Sequence, residues 1–418
     1  MKTHPLVYSI LLVGSMATVA CEEDDNEPAS PNINAPDTYS FTRDGQSTVN
    51  FEGQTQRIMM ATELTGSMKR FGEVTETALL EMYRNEAEGG GDVNPFEEAS
   101  LNETEKSIRE KVAASQDYFS ANVTEGTAIK NQFEDWLARQ VTEVFPNEEV
   151  AAAPGVAGQI ADGTRTRYVN AQGLEYDQLV AKGLIGSLMI DQMLNHYLSA
   201  AVLDEGDSRT ENDAATPEDA AAYTYMEHRW DEAYGYAYGA SADPTNPNLT
   251  VGEDDPFLNE YLGQVSADPD FDNIADDVFN AFKLGRAAIV AQDYTARDEQ
   301  VAIIRENVSR VPAVRGVFYL QRGKDALAQS PANPTVAFHA LSEAYGFIYS
   351  LQFTRQPDAN APYFSREEVN ELIETLLGDG AYGLWDVTPE TLDEVSDTIA
   401  ERFNFTVAQA GSSEAATE

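Results

Sequence analysis

The 418-residue chain carries 71 acidic against 27 basic residues, a formal net charge of −44 and a pI near 4.2. With no basic stripe to displace counterions from phosphates, nucleic acid is excluded as a partner, and so is adsorption on anionic lipid heads. The length allows one large or two moderate domains with a substantial core.

The first twenty residues read as a signal peptide: Lys2 supplies one positive charge, and an apolar and small-residue run from Leu6 to Ala20 is too short to span a bilayer. Thr18-Val19-Ala20-Cys21 places small residues before the only cysteine of the chain. It resembles a lipobox, with Thr18 where leucine is usual, and predicts lipidation of Cys21 and attachment to a membrane through that lipid. Residues 21–36, opening with Glu22-Glu23-Asp24-Asp25, are too charged and too poor in apolar side chains to fold and are expected to be a disordered tether. An acidic run directly behind the lipidated cysteine resembles a surface-export signal of Bacteroidota lipoproteins, which implies an outer-membrane, outward-facing location; a plain hydrophilic spacer is the other reading.

Residues 37–56 alternate aromatic and β-branched side chains around Asp44-Gly45, a hairpin pattern. From 57 to 408 the apolar period becomes helical. Ile58, Met59, Leu64, Met68, Phe71, Val74, Leu79 and Met82 form one amphipathic run that Gly89-Gly90-Gly91 ends. Further helices are expected near 102–123, 127–145, 173–203, 217–239, 273–296, 298–310, 313–328, 333–354, 365–378 and 388–403. Pro217 and Ser365 are marked as starts by a first-turn proline and by glutamate three residues on. Long loops are left at 146–172 and 240–272, and a disordered tail at 409–418. The fold class is therefore all-α with a short N-terminal β-hairpin.

After the signal peptide the chain holds three histidines, His196, His228 and His339, and two of them open one phrase. His228-Arg-Trp-Asp-Glu232-Ala-Tyr234-Gly-Tyr matches His339-Ala-Leu-Ser-Glu343-Ala-Tyr345-Gly-Phe, which predicts a helical domain of two related halves. Residues four apart share a helix face, so each histidine is expected over its glutamate. If the two helices faced each other, His228, Glu232, His339 and Glu343 would converge on a set suited to a transition metal such as iron or zinc. Two braced helix pairs, each with its own structural ion pair, is the other outcome. Asp231 is replaced by Ser342 in the second copy and is the weaker ligand candidate. His196 has no carboxylate three or four residues away and is assigned to core or surface. Tyr234 and Tyr345 can donate hydrogen bonds to a ligand, and Trp230 is a candidate stacking platform. No hydrolase or metallopeptidase motif is present, so no catalytic residue is assigned and the chain is expected to be a binding protein rather than an enzyme.

Tyr39-Ser-Phe, Gly183-Leu-Ile-Gly followed by Asp191-Gln192, and Glu227-His228-Arg-Trp-Asp-Glu-Ala-Tyr-Gly resemble the Bacteroidota lipoproteins of domain of unknown function 4856, over nearly all of the mature chain. That family carries no established activity. More distantly, a helical lipoprotein with a duplicated bundle and a histidine–glutamate helix is similar to the imelysin-like proteins, extracytoplasmic all-α proteins often associated with iron acquisition. Their Gly-x-His-x-x-Glu hallmark is not reproduced: Glu232 and Glu343 follow their histidines by four positions, and no glycine stands two before either histidine. The resemblance implies an imelysin-like duplicated helical bundle, and a surface lipoprotein that binds a metal or metal-containing ligand. A glycan- or peptide-binding accessory of an outer-membrane transporter is the alternative.

Overall fold

A computed structural model describes residues 33–219, 221–379 and 381–411. The signal peptide, Cys21 and the acidic run behind it lie outside these residues. Asp44 and Gly45, both at positive φ, turn the chain between β1 (Thr42–Arg43) and β2 (Gln46–Ser47), as their identity predicts. The amphipathic run that follows is two helices, α1 (Glu52–Ser67) and α2 (Glu76–Arg84). Gly72 takes a left-handed φ between them, and Thr75 caps α2 by accepting from the Ala78 N–H.

The helix expected over 102–123 is reduced to two single turns, α3 (Ile108–Lys111) and α4 (Gln116–Phe119). Tertiary hydrogen bonds take the backbone donors that a helix would have used. The Ala113 N–H goes to the Ser187 carbonyl at 2.8 Å, and those of Ala114 and Ser115 go to the buried Asp191 carboxylate, each at 3.1 Å. Next come α5 (Val123–Arg139) and a second hairpin, β3 (Gly158–Ala161) with β4 (Thr166–Val169), in a stretch expected to be loop. Its turn is again Asp-Gly, Asp162-Gly163.

Helix α6 (Tyr176–Leu184) continues into wide π turns over Ile185–Ile190 and Met193–Tyr197. The cause is visible: the Ser350 hydroxyl accepts from the Gly186 N–H at 3.1 Å and donates to the Lys182 carbonyl at 2.8 Å. It thereby inserts into the bond those two groups would make in an α-helix. Only glycine fits there, since a Cβ on Gly186 would lie 2.5 Å from the Ser350 Cβ. Two short helices follow, α7 (Ala200–Leu203) and α8 (Ser208–Asp213). Helix α9 (Tyr225–Tyr238) starts at a Thr224–Glu227 capping box rather than at Pro217.

Helix α10 (Leu258–Ser266) occupies part of the expected 240–272 loop, and α11 (Ile274–Val290) follows it. Residues expected as two helices on either side of Pro312 form one, α12 (Tyr294–Leu327). A proline removes one helical hydrogen bond, and here packing outweighs the loss, for α12 is the central element, touching α11, α13 (Pro334–Ser350) and α15 (Pro389–Arg402). Ser365 caps α14 (Arg366–Leu377) with Glu368, as its sequence predicts. The last helix, α16 (Val407–Ala410), buries Ala410 and carries ordered structure past the expected start of the tail.

The protein is all-α with two short hairpins, and the two copies of the histidine phrase pack against the rest of the fold in the same way. Each hairpin leads into a helix, α1 or α6, against which the phrase helix, α9 or α13, lies. The phrase glycine is the point of close approach: a Cβ on Gly235 would sit 2.5 Å from the Phe51 Cβ, and one on Gly346 2.5 Å from the Lys182 Cβ. The residue before each phrase glutamate accepts a backbone N–H from the chain entering the partner helix. Asn50 N–H donates to Asp231 at 3.4 Å and Glu175 N–H to the Ser342 hydroxyl at 3.0 Å. Aspartate and serine thus do equivalent work.

Candidate functional site

In the first copy, the His228 Nδ1 lies 2.9 Å from the Glu218 carboxylate, not against Glu232. Glu232 instead takes the Arg229 guanidinium and, at 3.1 Å, the Gln54 amide. Asp231 accepts from the Tyr39 hydroxyl at 2.6 Å and from Arg286 Nε at 3.1 Å. Arg286, with no exposed surface, also reaches Glu227 at 3.1 Å and Thr48, tying the residue after β2 to α9 and α11 in one buried charged knot. Burial pushes the Asp231 carboxyl up to about 6 even with that arginine beside it.

In the second copy, the His339 Nδ1 lies 2.8 Å from Glu175, and its Nε2 is 3.7 Å from Glu343. Glu343 also receives the Lys182 ammonium at 3.3 Å and the Tyr261 hydroxyl at 3.3 Å. The result is a buried chain, Glu175–His339–Glu343–Lys182, with Lys182 only 7% exposed. Burial alone would depress the Lys182 ammonium, but Glu343 holds it above its ordinary range. Burial alone would raise Glu343, and Lys182 followed by His339 holds it below. Burial would likewise depress the His339 imidazolium; the Glu175 hydrogen bond overrides it and the ring titrates above its usual value. Burial raises Glu175 against the opposing pull of that same bond. These shifts favour the charged forms of Lys182, His339 and Glu343 and oppose that of Glu175.

The expected convergence of His228, Glu232, His339 and Glu343 does not form. Each phrase helix turns toward its own hairpin-led helix instead of toward the other copy, and the two glutamates line separate clefts. Glu232 borders one of about 790 Å³ with Arg57, His196 and Tyr197, while His339 and Glu343 border another of about 390 Å³ with Lys182, Arg165 and Arg167. Among the described residues no group of three or more His, Cys, Asp or Glu side chains is placed to hold a metal ion. The second cleft does not fit a bare cation, because Lys182 already stands against Glu343 and would repel it.

The aromatic candidates divide. Trp230 is fully buried, donating its indole N–H to the Phe282 carbonyl at 3.0 Å beneath Gly285, and Tyr234 is fully buried in a stack on Tyr39. Neither offers a face to a ligand, since both are consumed by the packing of α9 on α11 and on the first hairpin. Tyr345 is partly buried, edge-on to Trp136. His196 accepts the Gln116 N–H at Nδ1, at 3.2 Å, and burial depresses it to about 4, so it stays neutral.

Three cleft residues, Tyr261, Arg165 and Arg167, and the His339 partner Glu175 were not expected from sequence. The signal for the two arginines was present, in the alternating Thr164-Arg165-Thr166-Arg167-Tyr168-Val169 behind an Asp-Gly turn. Lys182 directly precedes the Gly183-Leu-Ile-Gly run that carries the family resemblance. The fold and site together define an all-α protein of two hairpin-led helix pairs, one of which opens a cleft over a buried chain of charged side chains. Residues 36–406 match the family described as Domain of unknown function (DUF4856), and the chain belongs to that family. No curated protein and no solved structure matches it.

Proposed function

We propose that the chain is a non-enzymatic binding protein, tethered to the outer membrane through a lipid on Cys21, and that its ligand sits in the cleft above Lys182, His339 and Glu343. One observation carries this reading. Two residues that line that open cleft, Glu343 and Arg167, each keep a buried polar atom, Oε2 and Nε, without a hydrogen-bond partner among the described residues. Unsatisfied buried polar atoms are expensive, and a bound molecule that offers a hydroxyl donor to the carboxylate and an oxygen acceptor to the guanidinium relieves both. The location rests on the lipobox-like Thr18-Val19-Ala20-Cys21 and the acidic run behind it.

A metal enters this reading inside the ligand. His228 and His339 line no common site and Lys182 already stands against Glu343, so the described residues offer too few converging donors for bare iron or zinc. A chelate brings its own donors and asks the protein only for charge and shape. The two hairpin-led helix pairs are in keeping with an imelysin-like bundle, and an outer-membrane transporter that takes over the ligand is the partner this role calls for.

The test is native mass spectrometry and metal analysis of the full lipoprotein isolated from membranes without chelator, beside Lys182→Met and His339→Gln. The wild type should retain a small molecule that both variants release, with circular dichroism unchanged. A wild type that retains nothing, or variants that retain the same mass, would overturn the assignment of the cleft.

A further inference from the structure

Resting on that assignment of the cleft, we infer that its ligand is an oxyanion bearing at least two acid groups, and that Arg165 and Arg167 select it. Acidic residues outnumber basic ones by 71 to 27, so carboxylate partners are plentiful, and of the five buried arginines all but Arg315 have one, namely 57, 286, 297 and 355. Arg165 and Arg167 have none within ion-pair distance among the described residues, although a guanidinium in so acidic a molecule is strongly drawn to pair.

Their placement is set by the hairpin. Arg167 lies on β4 and Arg165 is the residue directly before that strand. The face opposite Arg167 is fixed by Tyr168, whose ring packs 4.3 Å from that of Phe71. Both arginines line the cleft that holds Lys182, His339 and Glu343. The Nε of Arg167 is buried without an acceptor, a donor that a bound oxygen would satisfy.

The charges already in the cleft largely cancel. Lys182 answers Glu343, His339 answers Glu175, and Lys69 answers Asp177 at 3.4 Å. Beneath the floor Arg315 is buried, stacked 4.1 Å from the Phe318 ring with no carboxylate in ion-pair distance, and its field helps hold Glu343 ionised. Glu260 faces the cleft from α10, hydrogen-bonded by Gln264 at 2.9 Å, and repels acid groups toward β4. What remains without a carboxylate is the pair of guanidiniums that line the cleft, whose planar donor forks match carboxylate or phosphate oxygens.

Isothermal titration of the full chain with citrate, succinate, inorganic phosphate and acetate tests this, with Arg165→Gln, Arg167→Gln, the double variant, and Arg209→Gln as a control outside the cleft. Citrate or succinate, or phosphate if the acid groups are phosphoryl, should bind at least tenfold tighter than acetate. Each cleft variant should weaken binding about ten- to a hundredfold, as loss of one charge-assisted contact implies, and the control should not. Binding of no anion, or equal binding by the double variant, overturns the inference. A retained ligand that is neutral or cationic, lost in Lys182→Met yet kept by the double arginine variant, overturns the anion while leaving the cleft. Anion binding that needs both arginines but survives Lys182→Met and His339→Gln sinks the cleft assignment instead.

Discussion

Replacing Arg286 by methionine removes the one cation shared by two buried carboxylates. Its guanidinium meets Asp231 and Glu227, each at 3.1 Å, and Thr48 Oγ1 at 3.1 Å, and neither it nor Asp231 has exposed side-chain surface. Breaking such a pair while leaving its partner buried costs about 3–5 kcal/mol. Glu227 keeps Arg43 at 2.8 Å, which limits the loss, whereas Asp231 keeps only the Tyr39 hydroxyl and the Asn50 N–H. Asp231 already stands at about 6, above its unfolded value of about 3.9. The folded state therefore holds that proton more tightly than the unfolded state, and the stability it contributes below pH 4 is lost as pH rises through 6. Without Arg286 the carboxyl rises further and remains protonated, needing no cation, in mildly acid solution. Urea unfolding followed by tryptophan fluorescence, to which Trp230 on the same helix contributes, should show about 3–5 kcal/mol between wild type and variant at pH 8. At pH 5.5 the gap should narrow by about 2 kcal/mol. Adding Asp231→Asn should restore part of the loss at pH 8 and none at pH 5.5. A gap below about 1 kcal/mol at pH 8, or one indifferent to acid, refutes the assignment of a paired, buried charge.

Gly346→Ala forces a Cβ to within 2.5 Å of the Lys182 Cβ and Gly235→Ala does the same against Phe51, so each should lower stability by about 1–3 kcal/mol in thermal melts; an unchanged midpoint in both would contradict the close helix approach. Ser350→Ala removes the hydroxyl inserted between Gly186 and Lys182, and hydrogen exchange at the Gly186 amide should accelerate about fivefold or more for the loss of about 1 kcal/mol; unaltered exchange counts against it. In side-chain NMR, His339 should titrate above its ordinary value and His196 near 4. The sign follows: His339 stabilises the fold below its unfolded value and loses that contribution as pH rises through the raised one, while His196 opposes folding as pH falls from about 6.5 toward 4. Coincident titration of the two rings would be the contrary result. Cys21→Ser should move the protein from the detergent-rich to the aqueous phase on detergent partition; retention in detergent means that something other than a lipid on Cys21 holds it.

Local chemistry settled much of this protein in advance. The Asp44-Gly45 turn, the Ser365–Glu368 capping box and the helical period of the long apolar runs depend on neighbours in sequence, and the structure has them where composition puts them. The repeated His-x-x-x-Glu-Ala-Tyr-Gly phrase was legible too, because its glycines mark close helix contact wherever they stand. What sequence spacing left undecided was the direction each phrase faces. His228 and His339 lie on equivalent helices, yet their carboxylate partners, Glu218 and Glu175, come from outside those helices. Helical periodicity names the residues on one face but not what the chain folds against it. The Lys182–Glu343 pair joins α6 to α13, and Arg165 and Arg167 reach the same cleft only because a hairpin, hidden in a polar stretch, returns between them. Pairings across such separations are chosen by packing, and packing exists only once the tertiary structure has formed.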